Sequence, residues 1–479
     1  MSDLIKDRLK KLEHIKSKGI EPYPARTFKK QDINKVLEKK VGQKISVAGR
    51  IMLFRDMGNI TFIQIKDESG RIQAVLNKKE LNDDYKFWIK NLDIGDFIAI
   101  KGKRFNTKKK EKSVLAQEIK LLAKSIRPLP EKRKALKNKD LIFRKRYLDI
   151  LFNKEVQEMI YKKDRFWNSV RDFLKNKGFT EVETPVLENL AGGADAEPFI
   201  TFHKALDMDV YLRISMGELW QKRLMVAGLE KTFEIGRQFR NEGIDLEHLQ
   251  DYTQMEFYWA YADYQKGMEL IKELYRYVAK ETFGTLQFKI SDFEIDLAKE
   301  WEIYDYRQTV KEITGVDILK TNFKQARAKL DQLGVEYEKK GFNLSRAVDN
   351  LWKYCRKKIK GPGFLINHPV IVSPLAKRKK DNPKLVERFQ PIIAGSELGN
   401  GYSEVNDPMD QGERFEEQQK LRDSGDQEAQ MHDRDFVEAL EYGMPPTCGF
   451  GMSERVFSFL AGKTIRQCQI FPLTKPKNN

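Results

Sequence analysis

Residues 232–264, TFEIGRQFRNEGIDLEHLQDYTQMEFYWAYADY, alternate with period two on either side of a loop. Successive side chains of a strand point to opposite faces. The first arm therefore turns Glu234, Gln238 and Arg240 one way and Phe233, Ile235 and Phe239 the other. The returning arm puts Tyr252, Gln254, Glu256 and Tyr258 on one face, with Met255, Phe257, Trp259 and Tyr261 behind. This predicts an antiparallel hairpin inside a covered sheet. Carboxylates on a covered sheet are costly unless cations pair with them or they face a wet cleft. The hairpin thus reads as the wall of a cleft.

A second polar row lies in GSELGNGYSEVND (395–407), where Asn400, Tyr402 and Glu404 share a parity that Glu397 does not. A bulge or strand end between them is expected. A third element, PPTCGFGMSERVFSFLAGK (445–463), spaces Met452, Val456, Phe459 and Leu460 for a helix, with Ser453 placed to cap it and Gly462 to stop it. Arg455 falls in the first turn, where a cation gains nothing from the helix dipole. A planar fork there suits a phosphate or a stacked base, and equally a surface salt bridge. The usual phosphate loops are missing. Gly462-Lys463-Thr464 looks like the end of a Walker loop, but Phe457 stands where its first Gly is needed, and no G-x-G-x-x-G opens a helix. Any nucleotide must be held by arginines on a sheet.

The chain has 479 residues and a formal net charge of +17, unevenly spread. Residues 1–146 hold 39 Lys and Arg against 18 Asp and Glu, whereas the remaining 333 hold 49 against 53. A basic first third implies a polyanion-binding module joined to a domain with another task, although a solubilising surface gives the same count. Leu4, Ile5, Leu9, Leu12 and Ile15 form the stripe of an amphipathic helix over 2–18, which either binds RNA or packs on its own domain. Five β-rich runs over 44–125, with a helix-like insert between the third and fourth, fit a Greek-key OB barrel better than an SH3-like one. The division expected is a basic helix and lead-in (1–40), an OB domain (41–125), a basic linker (126–143) and a larger mixed domain (144–479). The fold class is α+β. No run approaches ~20 apolar residues and the N-terminus lacks an apolar signal-peptide core, so a cytoplasmic protein with no membrane span is the expectation. Cys355, Cys448 and Cys468 are too scattered for a disulfide framework or a cysteine zinc site.

The elements, in this order, resemble those of class II aminoacyl-tRNA synthetases, and specifically the lysyl-tRNA synthetase family, from about Val41 to Pro476. GFTEVETPVL resembles the first motif, the dimer-forming helix and strand; FRNEG…YTQMEFYWAYADY resembles the second; GFGMSER resembles the third. GGADAEPF, ALDMDVYLRI, ELGNGYSEVNDPMDQGERFEEQ and ALEYGMPPT match its lysine-specific stretches. The resemblance implies a catalytic domain built on an antiparallel sheet flanked by helices, behind a five-stranded OB barrel that reads the anticodon. It implies ATP, L-lysine and tRNA(Lys) as substrates, Mg²⁺ as cofactor and a homodimer formed through the first motif. Arg240 and Arg455 match the catalytic arginines on either side of the nucleotide. Glu242, His248 and Tyr252 match ATP-contacting positions, Tyr252 offering an aromatic face to adenine, and Glu397 a magnesium-binding carboxylate. Gly192, Gly193, Asn400 and Tyr402 match the lysine site, and Glu218 the partner of the α-amino group. Glu256, Tyr258 and Glu404 resemble the ε-ammonium receptors, in a recess expected to hold no cation of the protein's own. In the barrel, Phe62 matches the aromatic that stacks an anticodon uridine, with Arg50, Gln73 and Glu118 as base-reading neighbours. The pattern of Phe62 alone fits the barrel core equally well.

Several positions depart from the family. Gln390 replaces a second metal-binding Glu, and Glu247, Leu249 and Gln250 replace the Arg, Asn and Pro around the histidine. One residue is added in ISMGEL before Glu218, and the third motif is one residue shorter. None of these removes a required charge. The rival is an aspartate or asparagine enzyme of the same subclass; the acidic pocket pair opposes it, and a pocket built for aspartate would need Lys or Arg at its far end. A silent RNA-binding paralogue would not need both arginines.

Overall fold

The computed structural model describes residues 3–130, 139–194, 196–243, 245–337, 339, 341–426 and 428–476. The middle of the linker expected over 126–143 lies outside the described residues. The chain divides into two compact units, Met1–Lys139 and Asp140–Asn479.

In the first unit, the strands Lys44–Asp56, Ile60–Lys66, Arg71–Asn77, Phe97–Asn106 and Lys112–Ala123 close into a barrel, in the order first, second, third, fifth, fourth. The long first strand pairs with both the second and the fourth, and its register shifts between Ile51 and Leu53 where it bends from one to the other. Period two sends Ile63 and Ile65 into the core and leaves Phe62 half-buried on the outer face. The expected insert forms two short helices, Lys78–Leu81 and Asp83–Asn91. The helix Asp3–Ser17 packs on its own unit, with Leu12 and Ile15 buried, Ile15 within the barrel's core cluster. Its stripe is shorter than the sequence suggests: Leu4 is 61 % exposed. Arg8 is buried instead and donates to the carbonyls of Ile94 (3.0 Å) and Ser125 (2.8 Å), its stem serving as apolar surface.

The second unit is built on a nine-stranded, mostly antiparallel sheet, counted over the described residues. Its order is Glu302–Asp305, Gly363–Ile366, Arg388–Ile393, Asn400–Ser403, Thr447–Ser453, Asp251–Ala260, Lys231–Phe239 and Thr180–Glu181, with Ser396–Glu397 folded back on Arg388–Ile393. The helices Lys154–Asn176 and Tyr264–Phe283 contribute to the core behind it, where Phe233, Met255, Phe257, Phe389 and Phe450 are buried. Phe389 and Phe450 stack with centroids 5.6 Å apart. Each such ring contributes about 1.5–3 kcal/mol on burial. These rings fix the register, because a one-residue slip would send Glu234 and Glu256 into the core.

The bulge or strand end expected between Glu397 and Asn400 is a break at Leu398 and Gly399, between the strands Ser396–Glu397 and Asn400–Ser403. One sequence expectation is corrected. Met452 belongs to a strand, opposite Met255, and the following helix is only Arg455–Leu460. Gly449 and Gly451 let that strand lie close to its neighbours, so extended pairing overrides the helical spacing of the apolar residues. Among the described residues no helix is long and apolar enough to cross a membrane, and the three cysteines are free and buried.

Candidate active site

Three elements far apart in sequence meet on the open face of this sheet. The hairpin pairs Glu234 with Glu256 and Gln238 with Tyr252. Thr447–Ser453 adds to its second arm, and Asn400–Ser403 follows. Together they line a cavity of about 670 Å³ whose wall includes both Arg240 and Arg455. Tyr252 is buried beneath Arg240, whose guanidinium lies 5.7 Å from the ring centroid. Glu242 and His248 line the same cavity from the exposed loop between the arms, where His248 Nδ1 lies 2.8 Å from Asp245 Oδ2. Glu397 and Gln390 also face it. Trp352 Nε1 donates to Glu397 Oε1, and His368 Nε2 lies 2.9 Å from Gln390 Oε1.

At the other end of the cavity is an acidic recess. Gly193, Glu218, Glu256, Tyr258, Asn400 and Tyr402 line it, whereas Gly192 is not among the lining residues and lies against Leu219. Gly193 has φ +85, and a Cβ there would sit 2.5 Å from Glu218 Cβ, so only glycine lets this loop close over the carboxylate. Glu404 is buried just beneath Gly449, where a Cβ would stand 2.1 Å from its Oε1.

The carboxylates divide by partner. Glu234 lies aside, paired with Arg213 at 2.7 Å and accepting from Thr184 Oγ1 and N. Glu256 accepts from Ser215 Oγ (3.0 Å), Gly217 N (2.9 Å) and Gln254 Nε2 (2.6 Å), so its oxygens are already bonded within the protein. This differs from the expectation that it stands ready for an incoming ammonium. Nor does the recess lack a cation. The ammonium of Lys222, fully buried, bridges Glu218 and Glu404, the latter at 2.5 Å. Burial alone would lower the Lys222 pKa, but the two carboxylates outweigh it and raise it, so the side chain stays protonated. Burial pushes the Glu404 carboxyl well above the ordinary range; Lys222 opposes this, and Glu218 and Glu256 reinforce it. Three carboxyl groups thus meet at a recess with one internal cation, and burial leaves the Glu404 carboxyl one that a second cation would help to ionise. Glu404 Oε1 has no hydrogen-bond partner among the described residues, and Tyr258 donates to Glu218 Oε2 at 3.1 Å.

Comparison with known proteins settles the family. The family model described as tRNA synthetases class II (D, K and N) matches residues 138–475, and that of the OB-fold nucleic acid binding domain matches residues 45–122. The chain belongs to the class II tRNA synthetases. The synthetase is 44 % identical to a lysine–tRNA ligase of Thermotoga maritima over 100 % of this chain and 97 % of that one. It is 42 % identical to one of Thermosipho africanus over 99 % and 97 %, and 41 % identical to one of Moorella thermoacetica over 99 % and 98 %.

On the synthetase's barrel, Arg50, Phe62 and Gln73 fall on the outer face of adjoining strands, following the pairing of Arg50 with Lys66 and of Gln73 with Gln64. Arg50 stacks over Phe97 at 4.2 Å and Gln73 donates to Ser113 Oγ. Glu118 pairs with Lys101 at 2.8 Å. Two residues of the catalytic unit escaped sequence reading. Lys222 carried a signal, its i,i+4 spacing from Glu218. Arg388, which donates to Asn400 Oδ1 at 2.8 Å and so orients that amide, carried none.

Proposed function

We propose that this synthetase is a lysine–tRNA ligase that activates L-lysine with ATP and transfers the lysyl group to tRNA(Lys). One observation carries the reading: a single cavity joins two guanidinium groups at one end to a recess at the other where three carboxyl groups meet one internal cation. A lysine laid along it would put its carboxylate toward Arg240 and its ammonium toward Glu404 and Tyr258, with Glu218 and the Gly192–Gly193 turn at the α-amino group and Asn400 and Tyr402 alongside. Its carboxylate oxygen attacks the α-phosphorus, the bond to the bridging oxygen breaks, and pyrophosphate leaves. A ribose hydroxyl at the tRNA 3′ end then attacks the lysyl carbonyl and AMP departs. Arg240 neutralises the charge that gathers as carboxylate and α-phosphate meet, so positioning and electrostatics suffice without a protein nucleophile. Tyr252 offers a ring face to adenine, Arg455 stands on the nucleotide's other side as a cation for its phosphates, and Glu242 and His248 lie on the loop.

Mg²⁺ fits this donor set. It is ordinarily held by one or two carboxylates together with substrate phosphates, and among the described residues no group of three acidic, His or Cys side chains could hold a metal alone. Glu397 would hold it, assisted by the amide oxygen of Gln390. When bound, the ion neutralises charge on the triphosphate.

A homodimer is proposed through the first motif. Val186, Leu187, Ile200, Phe202 and Leu206 are exposed on and beside the small sheet that follows it, an apolar surface that suits a second copy. The reaction belongs in the cytoplasm, with its tRNA and ATP.

ATP–pyrophosphate exchange across the amino acids tests the reading. Lysine should drive it; exchange driven by aspartate would refute the pocket, and none with any amino acid would leave an RNA-binding protein. For the barrel, Phe62→Ala should raise the KM for tRNA roughly 5- to 160-fold, the worth of one stacked base, with lysine activation unchanged. Equal charging kinetics in that variant would remove Phe62 from the anticodon site.

A further inference from the structure

One carboxylate in the nucleotide end of the cavity has no task in this scheme. The loop between the hairpin arms is folded down. Asp245 Oδ1 accepts from the backbone N–H groups of Glu247 and His248, each at 2.7 Å, which tightens the turn. Ile465 N–H donates to Leu246 O at 3.1 Å, pinning the loop to the segment that follows the Arg455 helix. Glu247 is thereby delivered to Arg455, and its Oε2 accepts from Arg455 Nη2. The same oxygen accepts from Ser396 Oγ at 2.8 Å, and Ser396 Oγ accepts from Arg455 Nη2 at 2.6 Å, closing a triangle. Arg356 stands beside it, donating to Gly395 O at 2.9 Å and to Ser396 Oγ at 3.3 Å.

We propose that Glu247 is an internal competitor for the nucleotide's phosphates, holding Arg455 so that ATP reaches this guanidinium only by displacing it. Burial would raise the Glu247 carboxyl, but Arg455, Ser396 and Arg356 outweigh burial and hold it below the usual range, so the competitor is ionised at neutral pH. A fixed anion lowers the apparent affinity of every ligand that needs Arg455, by the fraction of molecules in which the arginine is engaged. A triphosphate or pyrophosphate brings several negative charges against the one of Glu247, whereas inorganic phosphate, with roughly one to two, has the smaller advantage over it. Glu247 thus makes the site selective for polyphosphates. The inference rests on the ATP-dependent reading above.

The test is equilibrium binding of Mg·ATP and of pyrophosphate to the full-length wild type, Glu247→Gln and Ser396→Ala, alongside lysine-dependent exchange. Glu247→Gln keeps the shape and removes the charge. It should bind both polyphosphates about three- to tenfold more tightly, the effect of removing one half-exposed charge partner, and inorganic phosphate should begin to inhibit. The KM for lysine should not move. Ser396→Ala, which loosens the triangle and keeps the charge, should shift binding the same way by less. Unchanged or weaker ATP binding in Glu247→Gln, with lysine-dependent exchange still present, overturns the proposal. Absence of that exchange in the wild type would instead overturn the ligase reading.

Discussion

Arg240→Ala should lower lysine-dependent ATP–pyrophosphate exchange by roughly a hundred- to a thousandfold, the loss found when a preorganised donor at a reacting centre is removed, while tRNA binding is kept. The lysine carboxylate and the α-phosphate are both anions and must come within bonding distance. Arg240 stands at the end of a rigid strand over the buried Tyr252 ring, in the same cavity wall as Arg455. Such a group acts without reorganising at the moment of reaction. The variant should fold, because Arg240 is only half-buried at the cavity wall. Arg240→Lys should recover only part of the rate, since an ammonium cannot bridge two anions as a planar fork does. Ordinary exchange in Arg240→Ala would remove this arginine from the chemistry.

Much of the fold was legible because period two is a local signal. The barrel strands and the hairpin parity follow from alternation alone, and the aromatics behind the hairpin required a covered sheet. What local pattern misread was context. Met452 is spaced for a helix, yet pairing with Met255 holds it in a strand. Arg8 looks like a solvated charge but completes the apolar stripe of its helix.

The site was legible in its residue types and less so in their partners. Sequence places Glu218, Glu256 and Glu404 near a cationic substrate. It does not say that Ser215 and Gly217 already satisfy Glu256, because those bonds cross from the strand to a loop 41 and 39 positions earlier. The loop substitution at Glu247 was visible as a departure, but its meaning needed Arg455, 208 positions away. Lys222 is the instructive omission. A buried carboxylate pair demands compensation, so its cation was to be sought in sequence, four residues beyond Glu218.

That cation sharpens the expectation for the recess. Glu404→Ala should raise the KM for lysine roughly a hundred- to a thousandfold, about 2.7–4 kcal/mol, with the KM for ATP little changed. At an effective dielectric of ~20, one carboxylate 4 Å from an ammonium contributes roughly 4 kcal/mol before desolvation. Losing Glu404 also strips Lys222 of one of its two partners, so its charge would face the substrate ammonium and add repulsion to the lost attraction. The same electrostatics predicts a pH effect. Burial holds the Glu404 carboxyl well above its ordinary pKa, which favours the protonated form. A substrate ammonium favours the carboxylate. Lysine binding should therefore release a proton, and affinity should rise with pH up to that raised pKa and flatten above it. Calorimetry of lysine binding in two buffers of different ionisation enthalpy measures the release, which should vanish in Glu404→Ala. Equal increases in both Michaelis constants, or proton release unaltered by the substitution, would show that the ammonium is received elsewhere.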